Sequence, residues 1–162
     1  MSQAWTITDP QDAAHAFCEK VRGIWLTQLT TRAPDGQLRG RPMTTQQVEY
    51  DSDLWFFTDA RSAKVKDIGV SPEVHLAYSH SDGTLWIDVS GQAETVNDPV
   101  KKEELWFDDL QAYFPEGRRD PHLVLIKVTP TQGEYWQGPD RRASDDEAAQ
   151  QTQDVKLVFA GR

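Results

Sequence analysis

The sequence predicts a mainly β fold with flanking helices, built as one domain around a closed antiparallel barrel. A chain of 162 residues is long enough for one domain with its own core, and it carries no internal repeat. About six or seven segments are rich in β-branched and aromatic residues and lie between turns that contain Gly, Pro or Asp. Only two or three segments show helical spacing, and this mixture favours a closed sheet with helices outside it.

Three helices are predicted from their start signals and from the spacing of their apolar residues. Asp9 suits the N-cap position and Pro10 the first turn, and Gly23 ends the periodic stretch that follows them. Ser62 can cap a short second helix, and Asp98, which precedes a proline, begins a third. The predicted helices cover residues 10–22, 62–69 and 99–113.

The strands are predicted from short apolar or alternating runs that lie between turns. In the Ala-Pro-Asp-Gly turn at residues 33–36, Pro fixes one dihedral angle and Gly takes the strained one, which predicts a hairpin. Gly91 interrupts an alternating run and indicates a β-bulge. Pro130 should end its strand because it lacks an N–H donor. The predicted strands cover residues 24–30, 38–48, 54–58, 73–79, 85–94, 123–128, 133–136 and, as a short edge strand, 155–160.

The character of the chain changes after Gly138, where it becomes polar and acidic. Residues 139–154 predict a surface helix or a mobile tail, and residues 155–160 are apolar enough to dock again. We therefore divide the chain into a barrel domain, residues 1–138, and a polar acidic C-terminal extension of the same domain, residues 139–162.

The composition excludes several classes of partner. The chain has 17 Lys and Arg against 26 Asp and Glu, and its net charge of −9 argues against a general nucleic-acid binder. Cys18 is the only cysteine, so neither an internal disulfide nor a thiolate metal cage can form, which predicts a reducing, cytoplasmic compartment. No apolar run reaches the roughly 20 residues of a membrane span, and the four histidines lack metal-ligand spacing. We predict no membrane partner and no metal site.

Six tryptophans could offer stacking platforms for single-stranded nucleic acid. Four of them occupy apolar periodic positions, and together with the acidic charge this favours the core or a dimer interface. These four are Trp25, Trp55, Trp86 and Trp106.

The segment from Phe56 to Lys64 has the features of an anion site. An apolar strand ends at Thr58, a helix begins at Ser62, and Lys64 lies in the first helical turn. A helix start offers unpaired N–H groups and a positive dipole end, which suit a phosphate. A lysine at that end is unfavourable unless an anion lies beside it, and Arg61 and Lys66 add positive charge. The alternative is a solvated helix start with scattered basic residues.

The segment that begins at Arg41 has the features of a ring-binding edge. Pro42 cannot donate in a sheet ladder and belongs at an edge or an irregular position. A planar ring lying there could use the backbone groups of Met43 and Thr44, and Arg41 could reach an anion near Lys64. The alternative is an exposed edge strand with solubilising charges.

Four motifs, taken together and in order, resemble a known family. They are Arg41-Pro42-Met43, Phe57-Thr58, Ser62-x-Lys64 and Glu134-Tyr135-Trp136-Gln137-Gly138. Over residues 14–138 the chain resembles the pyridoxamine 5′-phosphate oxidase-like FMN-binding split barrels, in particular the general stress protein 26-like branch. The resemblance implies a six-stranded antiparallel split β-barrel with flanking helices, paired as a homodimer with two flavin sites at the subunit interface.

The resemblance also implies a role for each matching residue. Arg41 and Lys64 would contact the FMN phosphate with help from Ser62, and Trp136 would approach the flavin from the other subunit. Met43 and Thr44 would present backbone groups to the isoalloxazine ring. Phe57 and Thr58 would line the ring and the ribityl chain, and Pro42 belongs to the same cofactor-binding set. FAD would also fit if space is open beyond the phosphate.

Three departures from the oxidases argue against pyridoxamine phosphate as the substrate. Gln46 and Ala63 replace basic residues, and residues 139–144 contain no histidine where the oxidases carry Arg-x-His, although Arg142 could take the arginine position. We expect an FMN-dependent oxidoreductase of the general stress type with an unidentified small-molecule donor or acceptor and no assignable catalytic residue. The alternatives are a flavin-binding stress protein without turnover, which buffers or senses flavin, and a flavin-free interaction module.

Overall fold

A computed structural model describes residues 3–46, 53–138 and 153–159 of the chain. The described residues form one mixed sheet of eight strands, three α-helices and two short 3₁₀ helices. The strands are β1 Gln3–Ile7, β2 Leu26–Arg32, β3 Leu38–Thr44, β4 Leu54–Asp59, β5 Glu73–Ser79, β6 Leu85–Val96, β7 Leu123–Gln137 and β8 Gln153–Val158. The helices are α1 Pro10–Val21, α2 Ala63–Val70 and α3 Pro99–Leu105, and the 3₁₀ helices are Asp108–Ala112 and Gly117–Arg119.

Strands β2 to β7 form a curled antiparallel array in the order β3-β2-β5-β6-β7-β4. β4 pairs with the first half of β7, from Leu54 opposite Val128 to Asp59 opposite Leu123. β3 and β4 end this array and lie in contact with each other, yet no ladder joins them in the part of the chain that the structure describes. The expectation of a closed barrel is therefore wrong in one respect, because a seam stays open between β3 and β4.

Two further strands, β1 and β8, extend the sheet beyond the six strands that the family resemblance implies. β8 pairs with the second half of β7, and β1 lies outside it in parallel, with Trp5 opposite Val155. The sheet is therefore mixed, and β8 is an inner strand, not an edge. β1 escapes prediction because Ala4 to Thr6 are exposed and carry no alternating apolar pattern. The predicted surface helix or tail falls mainly on residues 139–152, outside the described residues.

The predicted helices fare differently. α1 begins as expected, since Asp9 Oδ1 accepts from the backbone N–H groups of Gln11 and Asp12, both at 3.0 Å. α3 ends at Leu105 instead of continuing to residue 113, because Trp106 adopts an extended conformation. The Trp106 ring packs edge-on against Phe57 at 5.7 Å between centroids. This packing turns the chain out of the helix and into the 3₁₀ helix Asp108–Ala112.

β7 runs continuously through Pro130, so the predicted strand break is wrong. Pro130 lies opposite Gly91, at the point where the register between β6 and β7 shifts. The missing N–H of the proline therefore falls at an irregular position where the ladder is already interrupted. The bulge predicted at Gly91 is confirmed.

Two apolar clusters hold the sheet and the helices together. The larger fills the interior of the curled sheet, and Phe17 of α1 enters it with edge-on contacts to Tyr78 at 5.5 Å and to Phe159 at 6.1 Å. The smaller cluster lies under the chain between α3 and β7 and joins Phe57 to Leu105 and other residues. Its buried members are Phe57, Leu105, Leu110, Leu123 and Leu125.

The tryptophans lie mostly outside the cores. Trp25 and Trp86 are 54% and 53% exposed, so the core position is wrong for both within one chain, and the interface position stays a prediction. Trp55 and Trp106 are half-buried against the smaller cluster. Among the helices of the described residues, none combines the length and the apolar character needed to cross a bilayer.

Candidate functional site

A cavity of about 420 Å³ opens at the seam between β3 and β4. Its volume falls within the roughly 300–1,000 Å³ of small-molecule pockets. Six of the nine residues predicted to bind a cofactor line it, although they come from two separate segments of the chain, one on β3 and one that runs from β4 into α2. These six are Pro42, Met43, Thr44, Phe57, Thr58 and Lys64.

One end of the cavity is polar and lies at the start of α2. Lys64 Nζ donates to Thr58 Oγ1 at 2.9 Å, and Thr58 Oγ1 lies 3.4 Å from Ser62 Oγ. Ser62 occupies the N-cap position, as predicted, but its hydroxyl makes no hydrogen bond to the helix backbone. The N–H groups of the first turn of α2 therefore have no side-chain cap and can serve a ligand.

Two cations lie close together at this polar end. Burial lowers the pKa of Lys64, and the neighbouring charge of Arg41 lowers the pKa further. Burial also lowers the pKa of Arg41, against the raising effect of Asp67. Arg41 itself is not among the residues that line the cavity. Partly buried like charges that lie close enough to lower the pKa of Lys64 favour an anion beside them.

Arg41 is held by two residues that the sequence analysis did not identify. Arg41 Nη1 donates to Thr31 Oγ1 at 2.7 Å, and the Thr31 hydroxyl donates to Asp67 Oδ2 at 2.8 Å. Asp67 also lies 3.7 Å from Arg41 Nη2. The inward position of Thr31 could have been inferred from its alternation with Leu29 on β2. Nothing in the local sequence marks Asp67 as its partner.

The expected contribution of Arg61 to the positive field is absent. Arg61 is exposed, and its guanidinium forms a two-point ion pair with Asp59 at 2.7 and 3.0 Å. This pairing holds the pKa of Asp59 far below its usual range and raises that of Arg61. Lys66 is exposed on α2. The positive charge at the cavity therefore comes from Arg41 and Lys64.

The part of the cavity away from the polar end is apolar, and the sequence analysis did not identify its residues. Leu110, Tyr113 and Phe114 reach the cavity from the 3₁₀ helix Asp108–Ala112 and the residues after it, and Leu26 of β2 also lines the cavity. The sequence placed this segment on a continuous helix, where its residues would not have gathered against β4. Tyr113 is 66% exposed and lies at the opening of the cavity.

Trp136 does not line the cavity of its own chain. It lies on β7 between Trp86 of β6 and Asp154 of β8 and is half-buried. Its predicted contact with a flavin of another subunit stays a prediction. Ala63 begins α2 and is exposed, and Gln46 follows β3 and is half-buried. Residues 139–144, with Arg142, fall outside the described residues. The described part of the chain contains no group of three His, Cys, Asp or Glu side chains that could hold a metal ion.

Comparison with known proteins identifies related sequences and folds. Residues 12–149 match the family model described as pyridoxamine 5′-phosphate oxidase like. General stress protein 26 of Bacillus subtilis is 25% identical over 97 residues, which are 57% of this chain and 69% of that protein. A structure assigned to general stress protein 26 from Jannaschia sp. CCS1 has a TM-score of 0.75 at 23% identity, covering 93% of this chain and 100% of the other.

A second solved structure has a name that mentions a ligand. It is the general stress FMN/FAD binding protein from Xanthomonas citri, with a TM-score of 0.69 at 24% identity. The similarity covers 83% of this chain and 93% of that one. At this level of identity, the structural similarities show that the chains share a fold.

Proposed function

The chain belongs to the pyridoxamine 5′-phosphate oxidase like family, and we propose that its cavity binds FMN for a flavin-dependent redox reaction. The observation that carries the proposal is the partly buried Lys64 at the uncapped start of α2, which lies close to the charge of Arg41 and at one end of an otherwise mostly apolar cavity. A ligand that carries a phosphate at one end and a planar aromatic ring at the other requires a cavity with one positively charged end and an apolar remainder.

The polar end fits a phosphate. Among the described residues, Thr58 is the one acceptor within hydrogen-bond distance of Lys64 Nζ, so two of the three ammonium N–H groups remain for a ligand. Arg41 supplies a second cation close to Lys64, and the first turn of α2 adds backbone N–H groups. The Ser62 hydroxyl lies beside Thr58 at the same end.

The remainder of the cavity fits the ring and its side chain. β3 pairs only with β2 in the described sheet, so its edge at the seam keeps unpaired backbone groups near Met43 and Thr44. Such groups can hydrogen-bond to the polar edge of an isoalloxazine ring. Phe57 and Phe114 line the cavity and supply apolar surface for the ring. A bound flavin supplies hydride and electron transfer, and the protein binds it, orients it and limits the access of water.

None of the described residues that line the cavity can be assigned as an acid or a base for catalysis. The titratable ones are Asp59, Lys64 and Tyr113. Asp59 is paired with Arg61, Lys64 lies at the phosphate end, and Tyr113 lies at the opening. We therefore assign no catalytic residue. The same lining is compatible with the second function, that of a flavin-binding stress protein without turnover.

The proposal includes a subunit arrangement and a ligand choice. The active form is a cytoplasmic homodimer in which Trp136 reaches the flavin of the other subunit. FAD is a second possible ligand, since the Xanthomonas citri relative is named for both flavins. The replacement of basic residues by Gln46 and Ala63 argues for a substrate other than pyridoxamine phosphate.

Flavin titration followed by reduction tests the proposal. The purified chain, freed of flavin, is titrated with FMN, FAD and riboflavin, and the flavin fluorescence or absorbance is followed. We expect FMN to bind and riboflavin to bind more weakly. The loaded protein is then mixed anaerobically with NADH and NADPH. Bleaching of the flavin supports the oxidoreductase, an oxidised flavin with each donor supports the binding protein, and failure to bind any flavin contradicts both.

Replacement of Lys64 tests the phosphate end directly. A charge-assisted hydrogen bond contributes about 1.5–3 kcal/mol, so Lys64→Ala should weaken FMN binding roughly tenfold to a hundredfold. Riboflavin, which has no phosphate, should bind nearly as before. Lys66→Ala is the matched control, because Lys66 carries the same charge on the same helix but is exposed away from the cavity lining. An equal loss in both variants would contradict the assignment.

A further inference from the structure

We infer that Thr31 and Asp67 are positioning residues that hold the Arg41 guanidinium in place for the phosphate. The inference rests on the proposed flavin site and deepens it. Neither residue lines the cavity, and neither belongs to the motifs that identified it. Both act on the ligand through Arg41.

The contacts form one chain of hydrogen bonds with a fixed direction. Arginine can only donate, so Thr31 Oγ1 must accept from Arg41 Nη1 at 2.7 Å. The single proton of the Thr31 hydroxyl is then directed to Asp67 Oδ2 at 2.8 Å. Arg41 Nη1 also points toward the backbone carbonyl of Leu29 at 3.4 Å. These contacts fix the position of the guanidinium, so its charge stays close to Lys64 at the polar end of the cavity.

Burial makes this arrangement difficult to break. Thr31 and Asp67 are each 1% exposed. A buried carboxylate without partners is strongly unfavourable, so Asp67 favours the state in which Thr31 donates to it and Arg41 lies beside it. Arg41 keeps a 20% exposed side chain. A long flexible side chain is thus held in one position by two buried residues.

The same residues tie the two cations to a common frame. Thr31 lies on β2, Arg41 on the adjacent β3 and Asp67 on α2. Asp67 follows Lys64 by three positions, so one helix places Lys64 beside Thr58 and a counter-charge beside Arg41. The separation of the two cations is therefore set by the packing of α2 on β2, before any ligand arrives.

If Arg41 is held in place before the ligand binds, the effect should appear in the affinity for FMN, which carries the phosphate, and not in the affinity for riboflavin. Without Thr31, Arg41 would have to become ordered when FMN binds, and ordering one long side chain weakens binding by about three- to tenfold. Thr31→Val should weaken FMN by that factor and leave riboflavin unchanged. Thr31→Ser, which keeps the hydroxyl, should restore the affinity for FMN.

A double-mutant cycle separates positioning from general structural support. If Thr31 acts through Arg41, Thr31→Val should cause no further loss of FMN affinity in an Arg41→Ala background. Losses that add in the double variant, equal losses for FMN and riboflavin, or an unchanged FMN affinity in Thr31→Val would each overturn the inference. Each outcome presupposes that the wild-type chain binds FMN. If it does not, the proposed function itself fails.

Thr31→Val leaves Asp67 without its hydroxyl partner and can impair folding. The double variant Thr31→Val with Asp67→Leu removes the orphaned carboxylate together with the hydroxyl, which is far less disruptive than removing one partner. Its circular dichroism spectrum and its riboflavin affinity report whether it is folded. The same three- to tenfold loss for FMN alone is expected by the same reasoning. Wild-type FMN affinity in this variant would overturn the inference.

Discussion

Lys64 is the residue at which binding and stability oppose each other. Its pKa lies below the ordinary lysine value of 10.5, because burial and Arg41 disfavour the charged form. At every pH below that lowered pKa, the protonated side chain therefore costs stability in the ligand-free fold. The cost is relieved as the pH rises from the folded-state pKa to the unfolded-state pKa. A phosphate beside Lys64 favours the charged form and removes the same cost.

This opposition predicts a pH dependence of FMN binding. Wild-type affinity should fall as the pH rises through the lowered pKa of Lys64, at a lower pH than an ordinary lysine would require. Lys64→Arg should retain affinity to higher pH, because arginine stays protonated. Fluorescence titrations of FMN across alkaline pH measure the effect, and riboflavin titrations correct for ionisation of the ring. Coincident profiles for the two proteins would contradict it.

The residues found from sequence and those missed differ in the range of their contacts. Lys64, Thr58 and Ser62 lie within one strand-loop-helix unit, so their order along the chain already places them together. Thr31 and Asp67 are 36 positions apart and meet only because α2 packs on β2. Their pairing depends on tertiary structure and leaves no local signal.

Helices and strands match their predicted bounds where the local sequence signals agree with the tertiary packing. α1 and β5 match their predicted bounds to within a residue, because a capping aspartate and strict alternation define them. α3 and β7 did not, because tertiary contacts overrode local preference. The Trp106 contact with Phe57 ended one helix early, and the bulge at Gly91 let β7 continue through Pro130.

Gly91 is where the sheet depends on a missing side chain. A Cβ at this position would lie 2.6 Å from the Thr129 carbonyl oxygen and 3.0 Å from a Val128 methyl group. Gly91→Ala should therefore lower the free energy of unfolding by about 1–3 kcal/mol, as overpacking does. Gly69→Ala on α2 meets nothing within 4 Å and should raise it by about 0.5–1 kcal/mol. Urea denaturation measures both, and equal changes would contradict the steric explanation.

Several tryptophans are exposed on the described part of the chain. The cavity lies at the open seam of the sheet, so one chain leaves it partly open. In the proposed dimer, Trp136 completes the flavin site of the other subunit, so binding and association should be linked. Trp136→Ala should weaken FMN binding although the residue lies outside the cavity of its own chain. Trp5→Ala, at the far edge strand β1, should leave the affinity unchanged.

Dilution provides an independent test of the dimer. Sedimentation velocity measures association with and without FMN, and FMN should shift the protein toward the dimer at low protein concentration. A chain that sediments as a monomer at every concentration and binds FMN with undiminished affinity would contradict the shared site.

The parallel pairing of β1 with β8 determines when the molecule can finish folding during synthesis. Within the described sheet, residues 3–7 are synthesised before every other strand, whereas the strand they join, residues 153–158, is synthesised after every other strand. Until then β1 has no partner in the described sheet, and Phe17 lacks the ring of Phe159 that covers it. Contacts between the two ends of a chain form slowly. β1 therefore stays without its partner in the described sheet while β2 to β7 are synthesised, and the strand that pairs with it, β8, follows them.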